Sequence, residues 1–580
     1  MAFRGLRRSA ALMAVEQLED RRLPSTVVPI SLANGGPSVT PNGDSFGGPS
    51  ADGRFVVFDS KATNIVSGQQ DNNGTTDVFL YDRLTQSTSL VSHASGSTTT
   101  TANGASVLGD ISADGRFIVY GSTATNLVAG QIDTNNSSHV FLYDRLTGTN
   151  TLVIGGAGDE RISADGNFVV FSIQHTNLYL YERQTGSITL ISHAFSSPTM
   201  PANGACNNSN INADGSRISF ASSATDLISG QIGSGTNIFL YDRGTNTSTL
   251  VSHAFGSSFI AADADSFTND FNLSANGEFV AYESGADNLV AGQIDTSHLQ
   301  NIFVYDSLTG SNTLVSHSTL ANNMTANGNT FLPVISSDGN TIVINSEASD
   351  LVTGFQNPNN DIRNVFVYDR ITGEITLASH SAGSSSTAGN GDSVNGIFYI
   401  SSDGNFLVYS SKSTDLVADQ IDTNGDYDIF LYEKSTGINT LISHIPGSDT
   451  TTGNAGSFPG GISSDGRFVV FGGDASNLVV GDLNNHTDAF GVEPFDAPLT
   501  ATGTFVSSAS EQIAFTAIVA HFTDADSQPM PEDFKATVNW GDGTVQRAFI
   551  PIGNDNFSVH LGRTAYATWT RPQRFGGRLM

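Results

Sequence analysis

A nine-residue phrase recurs eight times along this chain and limits its fold more than any other feature. "SADGRFVVF" at Ser50 returns as "SADGRFIVY" at Ser112, "SADGNFVVF" at Ser163 and "NADGSRISF" at Asn212. It returns again at Ser274, Ser336, Ser401 and Ser463. The glycines of the eight copies are Gly53, Gly115, Gly166, Gly215, Gly277, Gly339, Gly404 and Gly466, spaced 62, 51, 49, 62, 62, 65 and 62 residues apart. Internal repetition of this kind marks a stack of equivalent supersecondary units, each unable to bury its apolar surface alone.

Each unit has the same parts. Asp-Gly predicts a tight turn, because glycine reaches the positive φ such turns need. The alternating apolar run after it predicts a strand. A loop with "ATNLV"-like text follows in seven of the eight copies, then a second strand such as "DVFLYDR" at Asp77 or "DIFLYEK" at Asp428. An "LTG"-type turn leads to a third strand such as "TSLVSHA" at Thr88, and a stretch such as "GASVLGDI" at Gly104 leads into the next unit. About four short strands per unit, stacked radially, predict an all-β fold: a β-propeller. Glycine (60) and phenylalanine (36) are abundant, as many short strands joined by turns require.

These copies resemble the TolB-like, WD-like propeller repeat, in which a Ser-Pro-Asp-Gly-like turn precedes one strand and an "IYVMD"-like strand follows. Here Ala or Ser replaces the Pro. The resemblance spans 26–495 and implies the fold; propellers host binding modules and enzymes alike. The eighth unit lacks a "TLVSHA" strand, while "STVVPISLANGGPS" at Ser25 reads like "STSLVSHASGSTTT" at Ser87. The N-terminal strand is therefore expected to complete the last blade and close the ring. Eight blades are expected, with seven as the alternative if the unit near Gly166, whose inter-strand loop is cut to "SIQHTN", fails to form one.

The expected domains are a targeting segment over 1–25, the propeller over 26–496, and a small β-sandwich-like domain over 497–580. The segment "VEQLEDRRLPS" at Val15 resembles the N-terminal sorting segment of surface and secreted planctomycete proteins; an ordinary amphipathic helix is the alternative. The turn Trp540-Gly541-Asp542-Gly543-Thr544 resembles the hairpin of PKD-type, immunoglobulin-like extracellular domains. The closing "LGRTAYATWTRPQRFGGRLM" has four arginines and no acid in a strongly acidic chain. It reads as a truncated or frame-shifted end, with a genuine basic tail as the alternative.

The net charge of −31 repels phosphate backbones, so nucleic acid is not an expected partner. A single cysteine, Cys206, allows no intrachain disulfide, and no apolar run reaches the ~20 residues that span a bilayer. A monomer located in the extracellular space, the periplasm or the cell surface is expected.

Four candidate chemistries follow. In "DTNGDYD", Asp422, Asn424, Asp426 and Asp428 fall at alternate positions, and calcium takes six to eight oxygen ligands of this type. An EF-hand is excluded: Tyr427 stands where that loop needs glycine, and Glu433 lies five strand residues beyond Asp428, roughly 17 Å away. Sister loops offer Asp71, Asn73 and Asp77; Asp133, Asn135 and His139; and Asp482, Asn484 and Asp488. The alternative is that Asp, Asn and Gly simply form turns with local hydrogen bonds. Second, His93, His193, His253, His317, His380 and His444 recur at one position; separate blades make packing the expected role, not a shared metal. Third, "GDSFG" at Gly43 matches a serine-hydrolase elbow but lacks the helix that motif needs. Fourth, carboxylate pairs at the propeller mouth remain conceivable, although no copy gains an unusual His, Arg or Glu cluster. The expected function is non-catalytic: binding a protein or glycan through loops on one face, with calcium stiffening them. The alternatives are a polysaccharide-active hydrolase or lyase, and a purely structural envelope protein.

Overall fold

The computed structural model describes residues 26–494, apart from 35–38, 133–136, 175, 270, 296–297, 359–361, 394–395 and 485, together with the backbone of short strands between 500 and 579. Within the unit Pro24–Pro494, each of the first seven repeats forms one four-stranded antiparallel sheet with its strands in sequence order, and the eighth contributes three strands to a like sheet. The eight blades cover 45–90, 106–155, 157–190, 206–250, 266–314, 330–377, 399–441 and 457–492. Each eight-fold turn of the repeat therefore becomes one blade, including the shortened one: Phe168–Ile173 and Asn177–Glu182 pair fully across the cut loop.

The ring closes as the sequence predicts. Val28–Pro29 pairs with Asp488–Val492, with Val28 opposite Gly491 and Pro29 opposite Phe490, and supplies the fourth strand of blade 8. Ile30, Val56, Phe58, Phe79, Phe468 and Val470 then form one buried cluster between blades 8 and 1. The Ser464 N–H donates to the Ala51 carbonyl across the same junction at 2.8 Å.

One contact repeats at the junctions. Gly115 sits in the Asp-Gly turn of blade 2 at φ +65°, and a Cβ there would collide with the Phe55 ring of blade 1. Glycine is thus required twice at this point, for its conformation and for the close approach. Gly166 meets Phe117, Gly215 meets Phe168, Gly339 meets Phe279 and Gly466 meets Phe406 in the same way. The arginine that ends the "YDR" strand caps the phenylalanine ring from above: Arg145 lies over Phe55 at 4.0 Å, Arg183 over Phe117 at 4.1 Å and Arg83 over Phe468 at 3.5 Å. These are cation–π distances. The strand sequence and the turn sequence of neighbouring repeats therefore meet at one site.

The remaining chain contributes strands in two three-stranded antiparallel sheets, one of Thr500–Gly503, Phe515–Thr523 and Phe557–Arg563, the other of Val545–Arg547, Thr537–Asn539 and Arg578–Leu579. The sorting-like segment over 1–25 and the turn Trp540–Thr544 lie outside the described residues. Among the described residues there is no helix long and apolar enough to cross a membrane.

The junction contact gives a stability prediction. Phe55 is 2% exposed. Phe55→Ala should lower the unfolding free energy by about 3–5 kcal/mol in guanidinium titrations. Leu84→Ala, at a residue 73% exposed, should change it by less than about 0.5 kcal/mol.

Candidate functional site

Sequential antiparallel strands place their connections alternately at the two ends of a sheet. The Asp-Gly and "LTG" turns therefore share one face of the ring. The long loops between second and third strands share the other face with the blade-to-blade connections, as the bridges between Gln70 and Thr100, Ile232 and Ile260, and Ile421 and Thr451 show. This loop face carries the calcium candidates.

In blade 1, the Asp71 Oδ1 accepts the N–H groups of Asn73 and Gly74 at 3.0 and 2.9 Å, a local turn. The Asn73 amide donates to the Ala102 and Gly104 carbonyls, tying this loop to the entry of blade 2. Asp77 is 1% exposed, and its Oδ1 accepts the Ser92 hydroxyl at 3.1 Å. The second oxygens of both aspartates, Asp71 Oδ2 and Asp77 Oδ2, are buried without a hydrogen-bond partner. Burial, aided by the charge of Asp71, pushes the Asp77 carboxyl up to about 7.

Blades 7 and 8 repeat the i, i+6 pairing with better internal partners. Asp428 is pushed up to about 8 by burial and by Asp422, and its Oδ1 accepts the Ser443 hydroxyl and the Asn424 amide at 3.1 and 3.4 Å. Asn424 also donates to the Gly453 and Ala455 carbonyls at 2.8 and 3.1 Å. Asp426 turns outward, 3.4 Å from the Lys412 ammonium. It does not join Asp422 and Asp428 as the alternate spacing suggested, because the chain is still a loop at that point and has not begun strand alternation. In blade 8, Asp488 accepts the Ser31 hydroxyl and the Asn484 amide, so both its oxygens are satisfied. Asp133 and Asn135 lie outside the described residues, and the His139 Nδ1 bonds the Ser137 carbonyl. The pair with the greatest need for a partner is thus Asp71–Asp77, not the one in "DTNGDYD".

The recurrent histidines stand between blades. His93 meets Tyr143 of the next blade edge-on at 6.1 Å, and His253 meets Tyr305 at 5.8 Å. The His380 Nε2 also bonds the Gly437 carbonyl of the next blade at 2.8 Å. Their role is packing and hydrogen bonding. In "GDSFG", Ser45 is buried at the start of the innermost strand and donates to the Ser60 hydroxyl at 2.9 Å, with no helix after it. It is not an activated nucleophile.

Sequence reasoning missed two groups. Three carboxyls are sunk into separate blade junctions, Glu160 fully and Asp59 and Glu283 partly: Asp59 is pushed up to about 6, and Glu160 and Glu283 to about 7, each chiefly by burial. Asp59 and Glu283 accept N–H groups of Leu108 and Leu332 from the neighbouring blades. The second group is in blade 5, where Asp287, Asp295 and His298 bring ligand atoms within 4.8 Å of one another. The expectation that no copy gains an unusual cluster is corrected here. The signal was a change of Thr or Ser to Asp at 287, paired with a change of Asn to Asp at 263.

No family model matches this sequence, and no curated protein matches it. The solved structures similar to it include an oligogalacturonate lyase in complex with manganese, with 13% identity over 67% of this chain and 88% of that one, at a TM-score of 0.36. TolB from Acinetobacter baumannii shares 13% identity over 67% of this chain and 79% of its own, at a TM-score of 0.28. The β-propeller domain of Cps50 (Swd1) from Myceliophteria thermophila shares 10% identity over 66% and 94%, at a TM-score of 0.32. Likeness at this level concerns fold alone.

The buried pairs give a pH prediction. A carboxyl whose folded-state pKa lies near 7 or 8, against about 4 unfolded, adds stability below the unfolded value and loses it as pH rises through the folded one. With divalent ions chelated, the melting temperature should therefore fall between pH 5 and pH 8. Asp77→Asn should raise it at pH 8, by roughly 2 °C or more, and flatten the slope, as scanning calorimetry would read. A melting temperature that rises over this window would contradict the assignment.

Proposed function

We propose that this chain is a non-catalytic binding or scaffold propeller of the extracellular space or cell surface, which takes a protein or glycan ligand on its loop face. The observation that carries this reading is the distribution of exposed apolar side chains. Exposed apolar side chains recur on the loop face around the ring, among them Ile132, Phe195, Ile232, Phe255, Leu320 and Ile421, and Phe255 and Leu320 are 64% and 78% exposed. A recurring bond ties each connection to the loop of the next blade, as from the Phe195 N–H to the Asp226 carbonyl and from the Phe255 N–H to the Asn288 carbonyl, at 2.7 Å each. Phe46, Val107 and Phe267 are exposed at one equivalent position, near the loop-face end of the innermost strands. Large exposed apolar surface on one face of a folded protein marks interaction sites.

The acidic composition and the segment at Val15 support a place outside the cytoplasm, with the ring acting as a monomer. Calcium stiffens the loop face in this reading. It is held first at Asp71 and Asp77, whose orphaned oxygens call for a cation, and more weakly at Asp422 and Asp428. Asn73 and Asn424 brace these loops through their amides. The raised carboxyls Asp59, Glu160 and Glu283 favour one second reading, a polysaccharide-active enzyme with carboxylates at the propeller mouth.

Two experiments test these readings. The full chain should bind to envelopes of the source cells. Phe255→Ser with Phe259→Ser should reduce binding at least tenfold, and Leu84→Ser with Leu146→Ser on the opposite face should leave it unchanged. Equal losses from both pairs would sink the loop-face reading, and turnover of a polysaccharide panel would establish the enzyme in its place. Excess calcium should raise the melting temperature over that in chelator by several degrees. Asp77→Asn should remove most of this gain, and coincident curves for the unaltered chain would eliminate calcium.

A further inference from the structure

Blade 5 departs from its sisters at a point where they agree. In six blades an asparagine before the innermost strand donates its amide to a hydroxyl after the second strand: Asn42 to Thr63, Asn103 to Thr125, Asn203 to Thr225, Asn327 to Ser349, Asn390 to Thr414 and Asn454 to Ser476, at 2.8–3.0 Å. Blade 5 has Asp263 and Asp287 at these two positions. The backbone half of the arrangement survives, with the Asp287 N–H donating to Asp263 Oδ1 at 2.9 Å. The side-chain half cannot, since two carboxylates offer only acceptors. Asp287 Oδ1 is left buried with no hydrogen-bond partner. Like charges so placed are costly unless a cation or proton lies between them.

Two further groups converge on the same point. Asp295 comes from the loop position that holds Asp71 and Asp422 in blades 1 and 7, and His298 follows it three residues later with φ +52°. His298 Nδ1 lies 2.9 Å from Asp287 Oδ2, and the ligand atoms of Asp287, Asp295 and His298 all lie within 4.8 Å of one another. The charges of Asp295 and Asp263 add to burial in raising the Asp287 carboxyl, while His298 opposes them.

We propose that blade 5 holds one divalent transition-metal ion on Asp287, Asp295 and His298, with Asp263 adding negative charge behind Asp287. The imidazole decides the metal class: a mixed nitrogen and carboxylate set suits zinc, cobalt, nickel or manganese better than calcium. Three protein ligands leave a position open to water or to a donor from outside the chain. The site is separate from the carboxylate pairs of blades 1, 7 and 8, and does not depend on what the loop face binds.

The sister blades supply the control variant. Asp263→Asn with Asp287→Thr restores the pair that six blades already use, so in chelator it should fold with a melting temperature equal to or above that of the unaltered chain. Zinc would be titrated calorimetrically into the full chain in excess calcium, which occupies sites made of carboxylates alone. Cobalt(II) absorption would report the ligand field. One zinc site is expected, weakened more than tenfold both in the double variant and in His298→Ala, with the visible cobalt bands lost in each. Zinc binding of equal strength in the unaltered chain and the double variant would overturn the proposal. So would no zinc binding, or a site that calcium fills as tightly as zinc.

Discussion

A four-stranded blade of this chain is apolar on both faces, and water can be kept from them only by a neighbour on each side. That requirement governs the rest. The central strands run buried almost without a break, as in Phe55–Ser60 and Asp77–Asp82, and their side chains join clusters that always draw on two blades. The Gly–Phe–Arg contact sets how closely blades approach, because a backbone without Cβ lies against a ring that an arginine covers from the next strand. Within such a ring no blade is stable by its own packing, and an open junction would expose two apolar faces at once. The short pairing of Val28–Pro29 on blade 8 therefore matters beyond its two residues, since it brings Ile30 into the last junction.

This dependence explains what the sequence revealed. Residues that meet a neighbouring blade must repeat, so "ADG", the apolar strand and the terminal arginine recur and the blade count could be read from them. The unit near Gly166 had only its loop shortened. Its strands kept the pattern, and Gln174 at φ +53° turns the chain within the few residues left. Local spacing was a poorer guide to the loops. Asp422, Asp426 and Asp428 look equivalent on paper, yet Asp428 begins a buried strand while Asp426 faces Lys412 and solvent. The blade 5 cluster was hidden for another reason. Asp263 and Asp287 stand far apart in the chain, and each looks ordinary among 56 acids until set against the Asn and Thr of its sisters.

The first residue of the third strand shows what the acids cost. Blades 4, 5 and 6 have asparagine there, and its two ends are both used. Asn237 accepts the Ser252 hydroxyl at 3.0 Å and donates to the Gly235 carbonyl at 3.2 Å, and Asn301 does the same with Ser316 and Leu299. Blades 1, 7 and 8 have aspartate in the same place, bonded to the same hydroxyl from Ser92, Ser443 or Ser31. An oxygen then stands where an amide would donate toward a carbonyl. Buried carboxylate pairs of this sort resist ionisation, which is why Asp77, Asp428 and Asp488 are pushed up to about 7 or 8.

Proton and cation are thus competing solutions to one electrostatic problem, and the surroundings decide between them. In acid the pairs satisfy themselves by holding a proton. Near neutrality they lose it, and the ring is left with buried like charges in a molecule already at −31. A divalent ion bound as proposed would remove the repulsion without a proton, and its stabilising effect would grow with its concentration relative to the dissociation constant. Blades 7, 8 and 1 are consecutive around the closed ring, so the acids gather on either side of the seam where the N-terminal strand enters. Ser31 and Thr40 of that entering segment bond Asp488 and Asp482 directly, at 3.2 Å each. Ring closure and the charge state of these carboxyls are therefore linked through the same side chains, and a change at one must be felt at the other.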